Sequence, residues 1–324
     1  MNCMIQFSSL HKTLTAALFA TTLLTASAIA QTNATSGAHA VRFKQNPVIH
    51  PQLGKIGDNI NGPSLIRAPK WLPNPLGRYY LYFADHNGKY IRLAYADKLA
   101  GPWKIYEPGT LKLEETSCTG HIASPDVHVD EARRELRMYF HGPINAAGRQ
   151  VSFVATSKDG LRFTAAKEIL GDSYFRVFQW QGDYYAMARL GVLYRSRDGL
   201  TNFEQGVNPF PTGPQQVRHV ALKLDGQILS VYFSRIGDSP ESMLLARIDL
   251  SQDWKAWKAT EPVLVLKPET KYEGADLPDS PSKEGAAPRR VRQLRDPAIF
   301  REGKKTYLLY SVAGESGLAI AEIH

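Results

Sequence analysis

Three carboxylates in this sequence stand where acid–base chemistry can be done. Asp126 lies in Ser124-Pro125-Asp126-Val127, and Asp296 in Arg295-Asp296-Pro297-Ala298-Ile299. Glu273 lies in Tyr272-Glu273-Gly274, just before a Pro- and Ser-rich stretch that runs to Arg292. Cutting a glycosidic bond takes two carboxyl groups, one to protonate the leaving oxygen and one to activate water or attack the anomeric carbon. A third carboxylate holds the acid's pKa up by like-charge repulsion. Glu273 as acid, Asp296 as base or nucleophile and Asp126 as modulator make such a set. Asn61, Arg67, His121, Tyr174, Arg218, His219 and Arg295 are the candidate substrate contacts. The competing reading is structural: Pro-Asp and Asp-Pro also build turns, and a loop Glu is commonly solvated.

Other chemistries lack their residues. There is no HExxH, no paired cysteine motif, no G-x-S-x-G and no phosphate loop. No metal ligands are expected from the spacing, and no cofactor is required. The formal charge of +8 comes from scattered Lys and Arg without a nucleic-acid motif, so it reads as a solvated basic surface.

The first thirty residues read as a secretory signal peptide. Lys12 precedes an apolar run from Leu14 to Leu24, and Ala28-Ile29-Ala30 is a cleavage signal. The expected mature protein is periplasmic or secreted, is not inserted in a membrane and is a monomer. It keeps one cysteine, Cys118, which reads as a small buried side chain rather than a nucleophile. Residues 31–45 read as a polar leader, and residues 46–324 as one domain.

What must position the carboxylates is a repeated β unit. Short runs rich in Tyr, Phe, Val, Ile and Leu alternate with Gly, Pro and Asp, which is the all-β pattern. The runs come in five pairs, opening at Tyr79, Leu136, Tyr184, Leu229 and Tyr307, each preceded by a further strand. Five such units predict a five-bladed β-propeller of four-stranded antiparallel blades. The last unit lacks its outer strand, and the segment near Val41–Phe43 is placed to supply it. Ser157-Lys158-Asp159-Gly160 and Ser196-Arg197-Asp198-Gly199 read as tight hairpin turns with structural aspartates. Inner strands line the axis of a propeller. Their opening residues therefore converge on one pocket; the candidates above lie at or near those openings, except Glu273, which lies in the long loop between blades four and five and could reach over the pocket.

On these motifs and the repeat count, the chain resembles the five-bladed propeller glycoside hydrolases of families 43, 32, 62 and 117. The resemblance implies an oligo- or polysaccharide partner, with furanosides or related sugars of plant, algal or microbial polysaccharides as substrate, and it admits a calcium ion on the axis. Family 43 members invert the anomeric centre with an Asp base on blade one, an Asp on blade two and a Glu acid. Asp126 matches the second, and Glu273-Gly274 resembles the acid's Glu-Gly. Asp296 stands in a setting usual for blade one, whereas blade one here has Gly62. Either Asp296 takes the base role after a shift of repeat register, or Asp58 reaches in, or the site is of another type. Two alternatives remain. One is a carbohydrate-binding propeller without catalysis, which the missing blade-one Asp favours. The other is a sialidase-like hydrolase, suggested by Ile66-Arg67-Ala68-Pro69.

Overall fold

In a computed structural model the described residues are 39–324, apart from 212, 214 and 215. The signal-peptide segment and most of the leader lie outside them. Residues 37–324 form one compact unit. It contains five antiparallel sheets and short 3₁₀ turns, with no α-helix among the described residues.

Each sheet is one blade of a five-bladed β-propeller. Blade one runs Asn61–Arg67, Tyr79–Ala84, Tyr90–Ala96 and Lys104–Lys112 from the axis outward. Blade two has Ala123–Asp130, Glu135–Pro143 and Gln150–Ser157, with two short outer strands. Blade three has Arg176–Trp180, Asp183–Met187, Leu193–Ser196 and Glu204–Gln205, and blade four Val217–Asp225, Ile228–Arg235, Met243–Asp249 and Val263–Leu266. Blade five has Arg295–Glu302, Lys305–Ser311 and Leu318–Ile323, and its fourth strand is Ala40–Arg42 from the other end of the chain. The propeller therefore begins inside the stretch read as leader.

The alternation of side chains explains the ring. In a strand, successive residues face opposite sides. Tyr79, Leu81 and Phe83 pack with Phe300, Tyr307 and Leu309 of blade five. Tyr80 and Tyr82 pack with Met138 and Phe140 of blade two. Three further clusters fill the remaining gaps between neighbouring blades. A middle strand is thus apolar on both faces because each face meets another blade. Burying each such side chain is worth roughly 1.5–3 kcal/mol.

The two Asp-Gly turns add polar pins between blades. The Asp159 carboxylate accepts from the N–H groups of Leu161 and Arg162, both at 2.8 Å. The Tyr82 hydroxyl donates across the gap to the Gly160 carbonyl at 2.8 Å. Asp198 and Tyr139 repeat the arrangement one blade on, with Tyr139 donating to Gly199 O at 2.7 Å.

Glu273 belongs to the ring closure. It is fully buried. One oxygen pairs with Arg42 Nε at 2.8 Å and accepts from the Tyr310 hydroxyl at 2.9 Å. The other accepts from the N–H groups of Glu269 and Thr270. Arg42 sits on the closing strand, so this ion pair fastens the first strand to the last blade. Glu273→Ala is expected to cost about 2 kcal/mol, because it takes the acceptor from Arg42 Nε, the Tyr310 hydroxyl and two backbone N–H groups, while Arg42 keeps Glu269 at 3.0 Å. Urea unfolding measures this; a loss below about 1 kcal/mol would contradict the role.

Candidate active site

The inner strands open with a shared irregularity. In blades one, two, four and five the ladder skips two residues: Gly62-Pro63, Ser124-Pro125, Arg218-His219 and Asp296-Pro297. Gly62, Ser124 and Asp296 have φ of 57°, 49° and 48°, and Tyr174, just before the blade-three strand, has 68°. Left-handed backbone at non-glycine residues is costly and gathers at functional sites. Here it turns Ser124, Tyr174 and Asp296 into one axial cavity, with Asn61, His86, His121, His141, His219 and Glu315.

Gly62 occupies the bulge position that Asp296 occupies in blade five. A Cβ at Gly62 would stand 2.9 Å from Ser124 Cα. That close approach, with the positive φ, requires glycine and leaves no room for a carboxylate. Asp58 does not substitute for it: it is exposed and lines a different cavity.

Asp296 is the carboxylate at the throat. Its Oδ1 lies 2.5 Å from His219 Nδ1, and its Oδ2 accepts from the Ser311 hydroxyl at 2.9 Å. Burial opposes its charge, but His219, Ser311 and Arg295 outweigh that and hold its pKa far below the usual carboxylate range. Tyr174 stands between two imidazoles, its ring centroid 4.1 Å from His141 and 4.3 Å from His219.

Glu315 is the second carboxylate of the throat. It lies in the turn between the second and third strands of blade five. Asn59 Nδ2 donates to it at 2.7 Å, and Arg295 Nη1 at 3.1 Å. His86 Nδ1 lies 3.6 Å away. Behind it runs a buried chain of alternating charge. Arg295 meets Glu241 at 3.1 Å, and Glu241 meets Arg218 at 2.8 Å. Burial raises Glu315's pKa, but His86 and Arg295 overcome that, despite Asp296 nearby, and it stays ionised.

The imidazoles divide in consequence. Burial pulls His86 down, but the Glu315 contact and the charge of Asp296 pull it up further, so its pKa is raised. His121 is lowered by burial and by the charge of His86. His141 is lowered strongly by burial and by the other histidines. A raised imidazole thus faces a cavity that also holds a deeply ionised aspartate.

The throat opens to a mouth of about 330 Å³ lined by Tyr174, Arg149, Gln150, Arg189, Arg218 and Glu284, among others. Glu284 and Gly285 come from the long loop before Arg292, so that loop does reach the pocket.

The structure thus gathers Asp296, Asn61, His121, Tyr174, Arg218 and His219, and puts Arg295 just behind them. Three expected residues are elsewhere. Glu273 is at the ring closure, its oxygens already taken. Asp126 accepts from Val177 N–H at 2.8 Å, lies 2.8 Å from His128 Nε2 and 3.6 Å from Arg176 Nη1, and does not line the axial cavity. Arg67 is exposed at the far end of its strand, 3.5 Å from Glu302. Glu315, His86 and His141 were not singled out from the sequence. Cys118 is buried, and burial pushes its thiol up to about 11, so it is no nucleophile near neutral pH.

The axial donors do not suit a calcium ion. Calcium takes six to eight oxygen ligands, whereas this throat offers imidazoles and carboxylates already met by cations. Among the described residues no cluster of three or more His, Cys, Asp or Glu is set to hold a metal.

No known family profile matches the chain. The uncharacterized protein R118 of Acanthamoeba polyphaga mimivirus is 40% identical over 319 residues, covering 87% of this chain and 90% of the viral protein. The chain belongs to the family of that viral protein. Among solved structures, a glycosyl hydrolase from Bacteroides ovatus superposes with a TM-score of 0.64 at 12% identity, covering 89% of this chain and 94% of its own. A family-43 β-xylosidase/α-arabinofuranosidase from a compost metagenome gives 0.59 at 10%, covering 88% and 94%. An exo-1,5-α-L-arabinanase from a bovine ruminal metagenomic library gives 0.54 at 9%, covering 82% and 92%. The fold of this member of the viral protein's family is therefore the five-bladed propeller of family-43 glycoside hydrolases.

If Gly62 is fixed by the approach of Ser124, restoring an aspartate there cannot restore a site. Gly62→Asp is expected to cost about 2 kcal/mol or more in urea unfolding. A variant as stable as the parent would contradict this reading of blade one.

Proposed function

We propose that this protein is an exported glycoside hydrolase that cleaves a furanoside or related sugar from a plant, algal or microbial polysaccharide at the mouth of the axial cavity. One observation carries the proposal. The axial cavity brings together a carboxylate whose surroundings keep it ionised and an imidazole whose pKa is raised by the neighbouring Glu315. Titratable groups pushed apart in this way mark the proton acceptor and the proton donor of a site. The family-43 propeller fold supports the choice of reaction, and the neighbours named as xylosidase, arabinofuranosidase and arabinanase suggest the sugars to try first.

In this reading Asp296 takes the proton of the attacking water on a carboxylate lone pair that His219 and Ser311, which hold the group in place, leave free. His86 gives its proton to the leaving glycosidic oxygen. Glu315 is a positioning residue, since it acts through His86 by keeping the imidazolium. Tyr174, Asn61, His121 and Arg218 line the path as sugar contacts. Export follows from residues 1–30, which carry the cleavage signal.

Asp296→Asn should lower kcat on an aryl furanoside or arabino-oligosaccharide by about 10²-fold or more. Full activity in that variant, or no release of any pentose by the unaltered protein, would overturn the assignment.

The pH profile tests the donor. His86 must be protonated, so activity is present below its raised pKa and lost as pH climbs through it. Asp296 ionises well below that range and does not set the near-neutral limb. Glu315→Gln removes the charge that raises His86, so the alkaline limb should move to lower pH. An unmoved limb would remove His86 from the donor role.

A further inference from the structure

A second, larger cavity of about 660 Å³ lies beside the axial site, with Asn59 in the wall between them. The Asn59 Oδ1 accepts from the backbone N–H of His86 at 2.8 Å while its Nδ2 donates to Glu315. A ligand in this second cavity is therefore one side chain away from the axial residues. The volume falls within the range of small-molecule sites, about 300–1,000 Å³.

The walls are fixed. Ala287 N–H donates to Glu315 Oε1 at 3.3 Å, and Val291 N–H to Ala313 O at 3.2 Å. Arg290 Nη2 donates to the Lys271 carbonyl at 2.8 Å. A Cβ on Gly314 would stand 2.7 Å from Ala287 Cβ, so the loop sits tightly on the blade-five turn.

The lining combines three kinds of group. His50, Gln52 and Ser316 offer hydrogen bonds suited to hydroxyls, and Tyr272 offers an aromatic ring. Lys271, Arg289 and Arg290 bring positive charge against Asp58 alone. Arg290 is partly neutralised by Asp276 at 3.8 Å. Among the described residues, no carboxylate lies within ion-pair distance of Arg289 or Lys271.

We infer that this cavity binds an acidic saccharide, a uronate-bearing segment of glycan, with Arg289 and Lys271 facing its carboxylates. That this segment belongs to the chain being cut rests on the hydrolase reading; the binding itself does not.

The test is calorimetry on the Asp296→Asn protein, in which turnover is silenced, with trigalacturonic acid as probe and xylotriose as the neutral control. Trigalacturonic acid should bind and xylotriose should not compete. Arg289→Glu in the same protein should weaken binding by about tenfold or more. Raising salt from roughly 0.05 to 0.3 M should weaken it as well. Absence of binding, equal binding of xylotriose, or binding untouched by both Arg289→Glu and Lys271→Glu would overturn the inference. Uronate binding in a protein that cleaves no glycoside would defeat the hydrolase reading alone. Cleavage of neutral chains without uronate binding would defeat the cavity assignment alone.

Discussion

The guanidinium of Arg176 ties the centre of the ring together. It enters from blade three and donates to the Pro125 carbonyl at 2.5 Å, the Val220 carbonyl at 3.3 Å and the Pro63 carbonyl at 3.4 Å. Those carbonyls belong to blades two, four and one. A propeller has few backbone contacts across its axis, because each sheet hydrogen-bonds within itself. Arg176 links the sheets instead with a planar fork of donors that reaches three blades. Pro63 and Pro125 belong to the skipped pairs of the inner strands, and Ser124, His219 and Asp296 of the throat sit in such skips.

From that centre the chemistry is arranged by local backbone and by charge. The left-handed residues at the strand openings aim Ser124, Tyr174 and Asp296 inward, while Gly62 takes the same backbone without a side chain so that Ser124 can approach. Buried charge is expensive unless paired, and here it is paired in series: Arg218, Glu241, Arg295 and Glu315 alternate in sign until the line ends at His86. The end of the line carries a consequence for function. His86 stands beside Glu315 at the end of the line, and Asp296 is held separately by His219 and Ser311.

Much of the fold was legible because two-sided burial leaves a plain mark. Tyr79-Tyr80-Leu81-Tyr82-Phe83 is apolar throughout, since odd and even residues meet different blades. The same unit recurs, and the missing outer strand could be matched to Val41–Phe43. The site was legible only where it sits on inner-strand openings, which is how Asp296, His219 and Tyr174 were found. Glu315 and His86 lie on the turns between second and third strands. Those turns end beside the inner-strand openings in any antiparallel blade. Reading Asp85-His86-Asn87-Gly88 and Ala313-Gly314-Glu315 together with the openings would have exposed them. Glu273 was misplaced for a different reason: its Glu-Gly pair has a local purpose. Gly274, at φ 84°, ends a 3₁₀ turn whose first N–H groups Glu273 caps, so the motif served backbone rather than catalysis.

In the proposed reaction Asp296 faces the sugar at the point of cleavage. The most direct measurement is a crystal structure of the Asp296→Asn protein soaked with an oligosaccharide that the unaltered protein cleaves. The expected result is a sugar ring seated at the axial mouth against Tyr174, with its anomeric carbon toward residue 296 and its glycosidic oxygen within reach of His86. A saccharide bound only elsewhere on the ring, or an anomeric carbon turned away from residue 296, would contradict it.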